Sequence, residues 1–102
     1  FSSYSFSDDE TKIMMKSIYN KFNYISEPHG AIGYLGLKKY GLKTNEFGIF
    51  LETAHPVKFL DVVEETLTVN VEIPPQIKEV MSKEKVSILI SNYQELKNFL
   101  NK

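Results

Sequence analysis

The apolar positions fall at helical spacing over most of this chain and at strand-like spacing in a few short stretches. Ile13, Met14, Ile18, Tyr19 and Phe22 share that spacing, which predicts an amphipathic helix over about residues 8–22. Ser7 and Glu10 have the separation of a capping box at its start, and Asp8 and Asp9 suit a helix N-terminus. The Met14-Met15 pair reads as core filling. Residues 1–7, rich in Ser and aromatics, predict an irregular entry. A second helix is expected between Pro28, suited to a first helical position, and Gly41, suited to an end. A third opens at Pro56 and runs to about Leu67, with Phe59, Val62, Val63 and Leu67 as its buried stripe. A short helix from about Gln76 to Met81 follows. Ser91 is the expected cap of a last helix, Gln94 completing its capping box, with Tyr93, Leu96, Phe99 and Leu100 on one face.

Three stretches read differently. Phe47 to Leu51 carries apolar residues on both faces, the pattern of a strand covered on each side in a parallel sheet. Thr68 to Ile73 alternates until Pro74-Pro75 breaks it, giving an edge strand or an extended linker. Val86 to Ile90 is a further apolar run. The expected architecture is α/β and helix-rich, with about five helices and two to three short strands. Residues 1–102 form a single unit without internal boundary, repeat or low-complexity tract. Covering both faces of residues 47–51 needs more chain than is present, and the sequence opens on Phe1 rather than Met. Both point to a piece of a larger protein. Left uncovered, the strand should promote self-association, as a dimer, a higher species or a rearranged sheet.

Composition narrows the function. Twelve basic residues against thirteen acidic ones leave a formal charge of −1, so no nucleic-acid or anionic-membrane partner is expected. No apolar run approaches the roughly 20 residues that span a bilayer. There is no Cys for thiol or disulfide chemistry. A chain of this size buries only roughly 60–65% of its unfolded surface, so a modest core is expected.

Two helix-entry turns could carry chemistry. Thr53 and His55 stand where a strand ends and a helix begins, the place where open α/β sheets bind ligands and where a helix terminus favours an anion. Thr53 is read first as a cap of its helix, a role threonines often take, and the ligand reading stands second to it. Glu27-Pro28-His29-Gly30-Ala31 puts a carboxylate and an imidazole at the second entry, either at a site or as a solvated acid and a packed ring. Gly30, Gly33 and Gly36 in one helix each cost about 0.8–1.0 kcal/mol relative to Ala, which signals close approach of a backbone, a ligand or another helix. His29, His55, Glu27 and Glu52 lack the spacing of a metal motif, so no metal is expected. Phosphate-cradling glycine loops and nucleophile elbows are absent.

Three stretches carry a resemblance. Ser7-Asp8-Asp9-Glu10-Thr11, Glu27-Pro28-His29-Gly30-Ala31-Ile32-Gly33-Tyr34 and Leu51-Glu52-Thr53-Ala54-His55-Pro56-Val57-Lys58-Phe59 closely resemble the C-terminal part of threonine synthases of the bacterial and fungal type. The segment from Pro74 to Lys78 and the ending from Asn92 to Leu100 also look like that family. Val57 stands where the family usually has Ala, and Glu27 where Asp is common.

The resemblance implies a tryptophan-synthase-β-like fold, the second structural type of pyridoxal-phosphate enzyme. It implies conversion of O-phospho-L-homoserine and water to L-threonine and phosphate by elimination and replacement, in the cytoplasm. Thr53 then matches the residue expected to hydrogen-bond the pyridine nitrogen, Glu27 and His29 lie in a stretch near the cofactor, and Ala54 and His55 line the site or support it. The family's Schiff-base lysine, its glycine-rich phosphate loop and most substrate-phosphate ligands match nothing here. The chain alone is therefore expected to be inactive, to bind cofactor weakly or not at all, and to need the remainder of the parent polypeptide. The alternative is a stand-alone binding or regulatory module of the same ancestry.

Overall fold

The computed structural model describes all of residues 1–102 and contains helices but no strand. The first helix, α1, spans Asp8–Phe22 and begins in the expected capping box: Ser7 Oγ accepts from the Glu10 amide at 3.3 Å, and the Glu10 carboxylate accepts from the Ser7 amide at 2.8 Å. That hydrogen bonding to the Ser7 backbone and hydroxyl holds the Glu10 carboxyl below the usual range. Helix α2 spans Pro28–Tyr40 and stops where Gly41 turns left-handed, at φ 74°. The third predicted helix starts as a 3-10 turn, Pro56–Phe59, and continues as α3, Leu60–Leu67. Two short helices follow, α4 at Pro75–Met81 and α5 at Tyr93–Leu100. The α5 cap lies one residue later than expected. Asn92 accepts from the Glu95 amide at 3.0 Å, and the Glu95 carboxylate accepts from Ser91 at 2.7 Å.

Helix α1 packs against both α2 and α3. The core gathers Met14, Met15 and Ile18 of α1, Ala31 of α2, Val63 and Leu67 of α3, and Val71 beyond it. The methionine pair is thus core, whereas Ile13 and Phe22, expected on the same stripe, are exposed. No residue after Val71 is buried. The radius of gyration is 18.4 Å, against about 13 Å for a compact domain of this length.

The expected strands do not form, and the α/β assignment is corrected to an all-helical chain with extended connections. A strand exists only through a neighbour that accepts and donates along its edge. The backbone of residues 47–54 makes no backbone hydrogen bond. It still keeps the twofold alternation of a strand. Gly48 abuts Leu37, Phe50 covers Gly33 and Glu52 covers Gly30, so the segment runs back antiparallel along α2 with its even positions on the helix. Phe47, Ile49 and Leu51 are exposed on the other side, at 98%, 85% and 74%. Residues 68–73 also stay irregular, because the Val71 amide donates to the Glu64 side chain at 2.9 Å instead of to a ladder. Val86, Ile88 and Leu89 are exposed and unpaired.

Candidate functional site

The entry to α2 is built around one buried carboxylate. Glu27 is the N-cap, and its side chain accepts from the amides of Gly30 at 2.9 Å and His29 at 3.0 Å. The same carboxylate meets His29 Nδ1 at 2.7 Å. Glu27 is fully buried, while 62% of the His29 side chain is exposed. Glu27 thereby fixes the ring through one nitrogen and leaves the other facing out, the arrangement in which a carboxylate sets an imidazole's orientation. Phe59 flanks that ring, with centroids 5.0 Å apart.

The second entry turn follows the extended segment. Its N-cap is His55, whose Nδ1 accepts from the Val57 amide at 3.1 Å. The capping role open to Thr53 therefore falls to His55. Thr53 is exposed and makes no hydrogen bond within the chain, while Ala54 is half-buried. An open cavity of about 400 Å³ lies beside His55, Pro56, Tyr24 and Val71; Thr53 does not line it.

The two turns meet through a residue that sequence reasoning weighed only as a metal ligand. The Glu52 carboxyl accepts from Ser26 Oγ at 2.5 Å and lies directly on Gly30, where a β-carbon would collide with it. Glu52 thereby joins Glu27 and His29 at one end of α2, and Thr53 is the next residue along the extended segment. Gly30 was the available signal: a helical glycine reports close approach, here of the Glu52 side chain. No three His, Asp or Glu side chains converge on a metal position. Both Glu52 and Glu27 face Tyr24, whose phenol is pushed up, first by burial and then by these two charges.

A neutral hydroxyl and an imidazole are both groups able to hydrogen-bond an aromatic nitrogen heterocycle. Thr53 offers a neutral hydroxyl with no competing partner, and His29 offers a free ring nitrogen on a fixed imidazole.

The family described as "Threonine synthase, C-terminal" matches residues 30–100. Threonine synthase from Buchnera aphidicola subsp. Schizaphis graminum is 41% identical over 100 residues, covering 94% of this chain and 22% of that relative. The Haemophilus influenzae threonine synthase is 48% identical over 68 residues, covering 67% of this chain and 16% of its own length. The crystal structure of threonine synthase from Escherichia coli superposes with a TM-score of 0.79 at 32% identity, over 92% of this chain and 22% of that one. The chain thus spans about a fifth of the length of the first of these relatives.

Proposed function

The chain belongs to the threonine synthase family, as its C-terminal part, and from that premise we propose that it forms one wall of a pyridoxal-phosphate site. In the whole protein that site converts O-phospho-L-homoserine and water to L-threonine and phosphate. The single observation that carries this reading is Thr53: exposed and unbonded, it sits between two residues whose side chains are both engaged, Glu52 on Ser26 and His55 on Val57.

Pyridoxal phosphate supplies an electron sink for carbanion chemistry. Thr53 would hydrogen-bond the pyridine nitrogen. A neutral hydroxyl does not enforce a protonated ring as a carboxylate would, which tempers the sink and suits elimination and replacement. His29, held by Glu27 through Nδ1, would stand near the cofactor at the entry of α2, and Glu27 would act only through that ring because its own oxygens are occupied. His55 keeps the turn after Thr53 in register by capping it. The partner is the remainder of the polypeptide, which covers Phe47, Ile49 and Leu51 and brings the lysine and the phosphate loop. By itself the chain is inactive, since catalysis needs all reacting groups held in place.

Titrating cofactor into the full-length protein and its Thr53→Val variant tests the reading. The variant should bind cofactor more weakly and absorb visible light at a changed wavelength. Wild-type affinity and spectrum in the variant would remove Thr53 from the ring.

A further inference from the structure

Residue 52 is the only charged position on the inward side of the extended segment. The other inward residues, Gly48 and Phe50, fit α2 by size and apolar contact. Glu52 instead brings a carboxyl to the first turn of α2, where the amides of His29 and Gly30 already donate to Glu27. A second carboxyl thus arrives at an entry whose first-turn amides are already taken, and its hydrogen bond is instead to Ser26 Oγ. A site that keeps such an arrangement departs from what simple packing favours, and such departures concentrate where function demands them. Gly30 is part of the same arrangement. Any side chain there would expel the Glu52 carboxyl, so the glycine's conformational cost is tied to seating it.

We infer that Glu52 is a positioning residue for Thr53: its carboxyl, seated on Gly30 and hydrogen-bonded to Ser26 Oγ, locks the last extended residues onto α2 and so fixes where the Thr53 hydroxyl stands. The inference rests on the role proposed above for Thr53. Residues 47–54 have no backbone hydrogen bond to hold them, and His55 anchors the chain only on the far side of Thr53. Glu52 supplies the anchor on the near side. Without it Thr53 gains freedom, and a displacement of about 1 Å at a site can cost on the order of 100-fold in its performance.

The test uses the full-length protein with Glu52→Ala, Glu52→Gln, Gly30→Ala, the double variant Gly30→Ala/Glu52→Ala, and Thr53→Val as reference. Pyridoxal phosphate is titrated into each while the visible absorption maximum is followed, and circular dichroism reports folding. Glu52→Ala should weaken cofactor binding by roughly tenfold and move the absorption maximum in the direction that Thr53→Val moves it. Glu52→Gln, which retains the shape and the bond to Ser26, should restore most of both. Gly30→Ala should resemble Glu52→Ala, and combining the two should cost nothing further, because truncating Glu52 removes the collision. Wild-type spectrum and affinity (within about twofold) in Glu52→Ala, beside a shifted Thr53→Val, would overturn the inference and spare Thr53. Wild-type behaviour in both would overturn the role of Thr53 itself. Loss of the folded spectrum in Glu52→Gln and Glu52→Ala alike would make Glu52 purely structural and also defeat the inference.

Discussion

Glu27 Oε1 accepts the Gly30 amide at 2.9 Å while the whole Glu27 side chain is withdrawn from solvent. One carboxylate therefore caps α2, orients His29 and fills interior space. Removing it leaves two amides of the first turn without an acceptor, that of Gly30 in the interior. Glu27→Ala should destabilise the chain by about 1–3 kcal/mol, seen as a lowered midpoint in urea. Glu27→Asp, the residue common in the family, should lose much less. If Glu27→Ala melts like wild type, the cap is not what holds this turn.

The core predicts a second outcome. Met15 is fully buried between helices in a cluster of seven residues. So small a cluster has few neighbours that can collapse into a void. Met15→Ala should cost about 2–5 kcal/mol, whereas Ile13→Ala, on the exposed side of the same helix, should change stability by less than about 0.5 kcal/mol. Thermal melts of the two variants separate these cases.

The helices were legible because their signals are local. Ser7 with Glu10, Pro28 with Gly41, and Pro56 each act within a turn or two of themselves, and α1, α2 and the helix after Pro56 begin where those residues place them. The α5 cap slipped by one residue because Ser91 with Gln94 and Asn92 with Glu95 offer the same spacing, and Asn92 takes the geometry. The strands were misread for a non-local reason. The extended backbone of residues 47–52 is real, but a ladder needs an adjacent strand, and here the segment's neighbour is a helix. The anchoring of Glu52 on Ser26 was equally out of reach. A contact across 26 positions leaves no periodicity, and only Gly30 hinted at it.

The outward face of that segment carries a third prediction. Phe47, Ile49 and Leu51 form an apolar row beside unpaired backbone, which invites a second chain to add along the edge. Light scattering of the isolated chain should report dimers or larger species, and Ile49→Lys should shift it toward monomer without loss of helicity. If the remainder of the polypeptide covers the row, as proposed above, the same substitution should instead destabilise the full-length protein. A monomeric wild-type chain at high concentration would contradict this.

Tyr24 gives a prediction in pH. Its phenol titrates above the ordinary value of 10.0 because burial disfavours the anion, with Glu52 and then Glu27 adding repulsion. The folded state therefore keeps the phenolic proton at a pH where the unfolded chain has released it. The unfolded state binds fewer protons in that window, so stability falls as pH rises. The contribution is complete below the unfolded value and lost as pH climbs through the folded one. Tyr24 is partly exposed, so the effect is small and is best read spectroscopically. The ultraviolet phenolate signal that disappears in Tyr24→Phe should have a midpoint above 10.0, and Glu52→Gln should bring that midpoint down. If Glu52→Gln leaves the midpoint in place, the Glu52 carboxylate does not face Tyr24, and the junction of the two entry turns is not the charged one described above.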